Sequence, residues 1–187
     1  MKKISLLLLP LMALTACGPS VDVEPTPQSM GNMDAPILVE EFSDLQCPGC
    51  ANVSPQVEEV IRNNPDLARF DYYHFPLTSI HPFAFSASEA SECAADQDKF
   101  WEYINMIFKT QSSLSNDHLS VVAEELELDM NAFETCMEDR KYKDMVQAHM
   151  NLGFQRGVNS TPSIYVNGEK VDFMNAETFE AYLKNLK

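Results

Sequence analysis

The chain has 187 residues, and 45% of them are hydrophobic, which is enough to build the core of one domain of about 150 residues. Its 28 acidic residues outnumber the 13 basic ones, and the formal net charge is −15 at pH 7. Such a surface repels nucleic-acid phosphates and anionic lipid headgroups, which argues against nucleic acid as a partner and against adhesion to anionic membranes.

The first 16 residues have the pattern of an export signal. A basic start precedes an apolar run, Ile4 to Leu14, that is too short to remain as a membrane-spanning helix. The run ends at Leu14-Thr15-Ala16-Cys17, which resembles the bacterial lipobox, where the cysteine is lipidated and the signal is cut before it. Residues 1–16 are therefore predicted to be a lipoprotein signal peptide. An ordinary secretory peptide followed by an unmodified cysteine is the alternative.

Residues 17–33 are predicted to be a tether that begins at the lipidated Cys17. Three prolines lie among small and acidic residues, with almost no apolar pattern. This composition is typical of an extended linker. At about 3.3 Å per residue, the linker would hold the domain several tens of ångströms from the lipid.

The strongest chemical signal is Cys47-Pro48-Gly49-Cys50, between a predicted strand, Ile37–Ser43, and an amphipathic stretch, Ala51–Arg62. A cysteine at a helix N-terminus faces unpaired N–H groups and the positive end of the helix dipole, which stabilise a thiolate. Proline suits the first helical position, where its missing N–H costs nothing. We therefore predict redox chemistry. Half of a zinc site and a structural disulfide are the alternatives, although zinc needs two more ligands and the other cysteines and the histidines are scattered.

Glu41 is anomalous in the predicted buried strand, because a buried carboxylate is costly unless it is partnered or has a raised pKa. We interpret it as a proton acceptor for Cys50. The alternative is that it points to solvent at the strand end. Glu40 must face the opposite way, so one of the two glutamates is expected to point inward.

A second strand, Phe70–Leu77, is predicted to pair in parallel with Ile37–Ser43, because a helix separates them. From residue 82 to about 156 the pattern is helical, without a strand candidate. Cys93 and Cys136 lie on different predicted helices there. In an oxidising compartment a structural disulfide between them is favoured, and two buried free thiols or a second redox pair are the alternatives.

The C-terminal part is predicted to contain a hairpin and a helix. Ser163–Val166 reads as a strand, Asn167-Gly168 is a hairpin turn signal, and Lys170–Phe173 returns antiparallel. Pro162 opens the first of these strands, which indicates an edge position or a cis peptide. An amphipathic helix, Ala176–Leu186, closes the chain.

The predicted elements follow the order strand, CxxC helix, strand, helical insertion, hairpin and helix. This order resembles that of the DsbA-like thiol:disulfide oxidoreductases of the thioredoxin superfamily. The resemblance is carried by Phe42–Cys50, by Gly157-Val158 through Thr161-Pro162 to Gly168, and by His81–Ala84. It implies an α/β fold, a thioredoxin fold with an inserted all-helical subdomain. The thioredoxin-like domain would be formed by residues 34–81 and 157–187, and the helical insertion by residues 82–156.

The resemblance also implies roles for individual residues. Cys47 matches the exposed cysteine that forms the mixed disulfide, and Cys50 matches the buried resolving cysteine. Thr161-Pro162 matches the cis-proline loop that binds the polypeptide substrate, and Glu41 matches the buried acid. Pro48 and Gly49 tune the site, and this Pro-Gly pair differs from the Pro-His of strongly oxidising members.

We therefore predict a lipid-anchored thiol:disulfide oxidoreductase of the bacterial cell envelope, periplasmic if the source is Gram-negative. It would form disulfides in exported cysteine-containing polypeptides and be recycled by a membrane redox partner. Its acyl chains on Cys17 would enter the lipid bilayer, and no cofactor, metal or nucleic acid is expected. A reductase of the same fold, and a metal-binding or substrate-binding module that does not turn over, are the alternatives.

Overall fold

The computed structural model describes residues 23–186. A five-stranded sheet has the order β1-β3-β2-β4-β5. The strands are β1 (Gln28–Met30), β2 (Ile37–Ser43), β3 (Ala68–His74), β4 (Ser163–Val166) and β5 (Glu169–Val171). The helices are α1 (Pro48–Asn63), α2 (Ala84–Ala95), α3 (Phe100–Lys109), α4 (Asn116–Glu125), α5 (Met130–Glu138), α6 (Lys143–Gln155) and α7 (Ala176–Asn185), with a short 3₁₀ turn at Gln111–Ser113.

The centre of the sheet is the pair β2 and β3, which run parallel from Ile37 opposite Ala68 to Ser43 opposite His74. On its other side β2 pairs antiparallel with β4, and β4 continues into the hairpin with β5. Asn167 and Gly168 form the turn with φ of 50° and 85°, conformations that asparagine and glycine adopt most readily. The predicted βαβ unit and the predicted hairpin are both confirmed.

The predicted tether is wrong at its C-terminal end. Gln28–Met30 form strand β1, which pairs antiparallel with β3 and so lies at one edge of the sheet. The segment lacks an apolar pattern because its side chains bind polar groups. Ser29 donates to Asp71, and Gln28 donates to Glu92. Cys17 and the predicted signal peptide lie outside the described residues.

Two hydrophobic clusters cover the two faces of the sheet. The larger one contains Ile37 and Val39 with α1, α3 and α7, and it continues into the helical segment. The smaller one contains Phe42, Tyr73 and Phe75, on the side where α6 lies. Gly153 of α6 is required there, since a Cβ atom would lie 2.6 Å from the Phe75 ring. Alternating side chains of β2 therefore serve two different cores.

Helices α2 to α6 lie between β3 and β4, and the described residues 82–156 contain no strand, as the helical pattern predicts. Ser115 caps α4 by accepting a hydrogen bond from the backbone N–H of His118. Cys93 of α2 and Cys136 of α5 are joined by a disulfide that closes a separation of 43 residues. Within residues 23–186, no helix combines the length and the apolar character needed to cross a membrane.

Candidate active site

The site is built where β2 ends and α1 begins. Cys47 is the N-cap of α1 in an extended conformation, and Pro48 occupies the first helical position. The pKa of Cys47 is lowered to about 5. The largest cause is a hydrogen bond from the Cys50 thiol, and the backbone N–H groups of Gly49 and Cys50 contribute, against the opposing effect of burial. At neutral pH the half-buried Cys47 is therefore a thiolate.

A second segment reaches this sulfur from the far end of the chain. The Thr161–Pro162 peptide bond is cis, and the carbonyl oxygen of Thr161 lies 3.5 Å from the Cys47 sulfur. Gly49 keeps the approach open, because a Cβ atom there would lie 3.3 Å from Pro162 Cδ and 3.6 Å from the Cys47 sulfur. The structure thus brings Cys47, Gly49, Thr161 and Pro162 together.

Cys50 differs from Cys47 in its exposure to solvent and in its pKa. It is fully buried, and burial raises its pKa. The backbone N–H of Asp44 donates to its sulfur at 3.4 Å. Neither cysteine is in a disulfide in this structure. The pair therefore consists of an ionised, accessible sulfur above a neutral, enclosed one.

Glu41 lies beneath this pair and is completely buried. Burial raises its pKa to about 7, while the hydroxyl groups of Ser54 and Ser43 act in the opposite direction. Its Oε1 accepts from Ser54, and its Oε2 has no hydrogen-bond partner among the described residues. A carboxylate with this pKa takes up and releases protons close to neutral pH.

Glu41 points inward and Glu40 faces the opposite way, as expected, but Glu40 is buried as well. Glu40 is 2% exposed on the opposite face of the sheet. Its carboxylate accepts a hydrogen bond from Arg156 at 2.7 Å. An arginine from the end of α6 therefore supplies the partner that makes the second buried charge tolerable.

Sequence reasoning missed the roles of two residues that hold the active-site loop, Asp44 and Gln111. The Asp44 carboxylate accepts hydrogen bonds from the backbone of Gln46 and Leu77 and from the ring of His81. The Gln111 side-chain amide donates to the carbonyl oxygens of Leu45 and Cys47. An aspartate two residues before a pre-helical turn is a recognisable local signal, whereas nothing in the sequence pairs Gln111 with this loop.

One group of potential metal ligands lies away from the cysteines. His74, Glu92 and His149 are buried, with ligand atoms within 4.8 Å of one another. Both nitrogens of His149 are engaged, one accepting from the His74 backbone N–H and the other bonded to the Thr26 carbonyl. Glu92 binds both the His74 ring and Gln28. Through these bonds the three residues form a clamp, which holds the N-terminal segment at Thr26 and Gln28. The bonds would have to break for a metal ion to bind.

Comparison with known proteins places the chain in a family. A family model described as Thioredoxin matches residues 23–185. The chain belongs to the thioredoxin family. That match begins before β1 and ends within the last turn of α7, so it includes the helical segment as well as the sheet.

Solved structures show which form of the thioredoxin fold this is. A thioredoxin-like oxidoreductase from Silicibacter pomeroyi matches with a TM-score of 0.73 and 22% identity, covering 87% of this chain and 93% of that one. Wolbachia pipientis alpha-DsbA1 matches with a TM-score of 0.74 at 22% identity, over 87% and 91% of the two chains. Bacillus subtilis BdbD gives 0.72 at 21% identity, over 89% and 94%. The predicted thioredoxin fold with a helical insertion, of the DsbA-like form, is confirmed.

Curated relatives are larger proteins. The Na(+)/H(+) antiporter NhaA 3 of Salinispora tropica is 34% identical over 140 residues, which are 75% of this chain and 21% of the antiporter. NhaA 1 of Salinispora arenicola matches with the same identity and coverage. This thioredoxin-family chain therefore spans about a fifth of the length of the curated relatives it matches.

Proposed function

We propose that the protein is a thiol:disulfide oxidoreductase that exchanges disulfides with cysteine-containing polypeptides through Cys47 and Cys50. The observation that carries the proposal is the asymmetry of the pair. Cys47 is stabilised as an accessible thiolate beside the Thr161 carbonyl, while Cys50 is enclosed with a raised pKa. A thiolate is the species that attacks a disulfide and the species that leaves one.

In the oxidising direction, a substrate thiolate attacks the Cys47 sulfur of a Cys47–Cys50 disulfide. The bond between the two cysteines breaks, and Cys50 leaves as a thiolate that takes up a proton. A second substrate thiolate then attacks the substrate sulfur of the mixed disulfide and releases Cys47 as a thiolate. The substrate loses two electrons and forms its disulfide, and the enzyme gains those electrons as a dithiol.

We propose oxidation as the direction, since a low pKa of Cys47 stabilises the reduced enzyme and therefore makes its disulfide a stronger oxidant. The reductase alternative is supported by Gly49, which places no side chain beside the thiolate. The reduction potential of the Cys47–Cys50 pair separates the two. A potential as low as that of thioredoxin, about −270 mV, would reject the oxidase.

The enzymatic proposal is tested by oxidation of reduced ribonuclease and by reduction of insulin, each with wild-type protein and with Cys47→Ser. We expect Cys47→Ser to abolish both reactions, because no other accessible thiolate exists among the described residues. Cys50→Ser is expected to accumulate the mixed disulfide with substrate. Activity that is unaffected by Cys47→Ser would favour a binding module without turnover.

We also propose that the enzyme works outside the cytoplasm, anchored by lipid on Cys17 and recycled by a membrane redox partner. The signal pattern of residues 1–16 and the lipobox-like Leu14–Cys17 support this location. Mass spectrometry of the mature N-terminus tests it, with Cys17→Ala as the control. We expect an acylated Cys17 in the membrane fraction. An N-terminus beyond residue 17 without lipid would reject the anchor.

A further inference from the structure

The N-terminal segment enters the sheet at the edge that carries the active site. β2 and β3 run parallel and end side by side at Ser43 and His74, and Cys47 follows β2 at this edge. β1 runs in the opposite direction, and its first residue, Gln28, lies opposite Tyr72 near the end of β3. The chain therefore enters β1 from the same edge of the sheet that holds Cys47.

The clamp of His74, Glu92 and His149 fixes the point of entry. One ring nitrogen of His149 accepts from the backbone N–H of His74, the last residue of β3, and the other is bonded to the Thr26 carbonyl at 3.0 Å. Gln28 donates to Glu92 at 2.6 Å. Because β3 lies between β1 and β2, two strand spacings, about 10 Å, separate the entry from the end of β2. Thr26 is thus held beside the active-site edge.

The proposed lipid anchor reaches only a short distance from this point. Thr26 is nine positions after Cys17, and at about 3.3 Å per residue these positions span at most about 30 Å. The opposite edge of the sheet is where β1 ends and the backbone N–H of Asn32 donates to the Pro65 carbonyl. That edge lies farther from the anchor by the length of β2, whose seven residues span about 23 Å. A tether to Cys17 therefore holds one edge of the sheet nearer to the lipid than the other.

We propose that the active-site edge faces the membrane, and that the exchange partners are cysteines of membrane proteins close to the bilayer surface. The proposal rests on the exchange activity and the Cys17 anchor proposed above, and adds to them the substrate class. The net charge of −15 repels anionic headgroups, so the tether rather than adhesion of a protein face sets the orientation. Tethering also raises the effective concentration of Cys47 toward groups at the surface, and a soluble polypeptide gains nothing from it.

The first test measures which edge faces the lipid. Lipidated full-length protein is placed in phosphatidylcholine vesicles that carry an energy-transfer acceptor on a small fraction of their headgroups. A donor dye is attached to Cys47, since Cys50 is buried. The matched control carries the dye at Asn63→Cys in a Cys47→Ser background, because Asn63 is exposed at the end of α1, at the opposite edge. We expect energy transfer from Cys47 to be stronger by at least about twofold, since about 23 Å separates the edges. Equal or weaker transfer from Cys47 would overturn the proposal.

The second test measures exchange with a disulfide at the bilayer surface. The probe is a phosphatidylcholine vesicle in which some phosphatidylethanolamine headgroups carry a pyridyl disulfide. Cys47 of the reduced protein attacks this disulfide and releases pyridinethione, which absorbs light. Cys50 then displaces the lipid thiol and closes the Cys47–Cys50 disulfide, so the two electrons that the protein loses reduce the probe.

The variant for this test has a Gly/Ser insertion of about 18 residues between Ser20 and Val21, which triples the length from Cys17 to Thr26. We expect pyridinethione release from the vesicles to become about fivefold slower, because the effective concentration falls roughly as the −3/2 power of tether length. The same insertion after Lys187 is the matched control and should leave the rate unchanged. With soluble dipyridyl disulfide, both variants should react as fast as the wild-type protein.

The outcomes separate this inference from the proposals beneath it. A vesicle reaction that is equally fast with and without the tether insertion would overturn the inference, provided that the soluble disulfide reacts. Failure of wild-type protein to react with the soluble disulfide would reject the exchange activity, and energy transfer would still report which edge faces the lipid. Failure of the wild-type protein to associate with vesicles would reject the Cys17 anchor, and the orientation with it.

Discussion

The sulfur of Cys47 lies 3.5 Å from the carbonyl oxygen of Thr161, a residue 114 positions later in the chain. The sheet produces this proximity, because β4 begins two residues after Thr161 and pairs with β2, which ends four residues before Cys47. The Cys47 sulfur is therefore located between a helix N-terminus and a loop that are far apart in the sequence.

We predict that Thr161→Val raises the pKa of Cys47 above its value of about 5. Valine has the shape of threonine without the hydroxyl, and the Thr161 side chain, whose buried hydroxyl oxygen bonds to no other group among the described residues, is one cause of the lowered pKa. The pH dependence of iodoacetamide alkylation, followed by mass spectrometry, measures the shift. Thr178→Val, an exposed position on α7, is the control. An unchanged alkylation midpoint in Thr161→Val would contradict the prediction.

We predict that Glu41→Gln stabilises the protein at alkaline pH. The pKa of Glu41 is about 7 in the folded protein because of burial and is ordinary in the unfolded chain. The folded state therefore keeps a proton that the unfolded state has released, and stability decreases as the pH rises through 7. The difference of about 2.5 pKa units corresponds to about 3 kcal/mol of unfolding free energy. Urea unfolding at about pH 9 should show this gain, and at about pH 4 almost none.

Glu40→Gln is the matched control, since it changes the neighbouring glutamate on the opposite face. Glu40 is paired with Arg156, so its loss leaves a half-exposed arginine without its buried partner. We expect Glu40→Gln to be less stable than wild type at about pH 9, the opposite sign from Glu41→Gln. If both variants changed the stability at about pH 9 in the same direction, burial of the Glu41 charge would not be what destabilises the folded protein.

We predict that Cys93→Ala combined with Cys136→Ala lowers the free energy of unfolding by about 4 kcal/mol, the chain-entropy value for a loop of this length. The disulfide closes a separation of 43 residues. Among the described residues, neither cysteine is bonded to Cys47 or Cys50. We therefore expect the exchange activity to persist. Mass spectrometry of non-reduced peptides checks the bridge. Recovery of both residues as free thiols from the wild-type protein would exclude it.

We predict that His149→Ala releases the N-terminal segment. His149 is neutral at pH 7, because burial lowers its pKa to about 4, and it links the His74 backbone to the Thr26 carbonyl. Its loss leaves two backbone groups unpaired and costs about 3 kcal/mol. Amide hydrogen exchange should accelerate at residues 28–30. His118→Ala, on α4, is the control and should leave their exchange rates unchanged.

Much of the site could be predicted from residues 37–62 alone. A strand, two cysteines spaced by Pro-Gly and an amphipathic helix are local patterns, and local chain physics places the first cysteine at the helix N-terminus. The Asn167-Gly168 turn was equally local. The clamp on the N-terminal segment could not be predicted from local patterns, because Thr26 binds His149 and Gln28 binds Glu92 across more than sixty residues.

The sequence by itself predicted which cysteine lies at the helix N-terminus, where the helices and most strands lie, and that an acid is buried beneath the cysteines. Only the tertiary structure decided that both glutamates are buried, that residues 28–30 join the sheet, and that Ser54 binds the Glu41 carboxylate. The physical reason is the separation along the sequence over which each interaction acts. Capping, turn geometry and periodicity act between neighbouring residues, whereas the partner of a buried polar group is set by which distant segments pack against it.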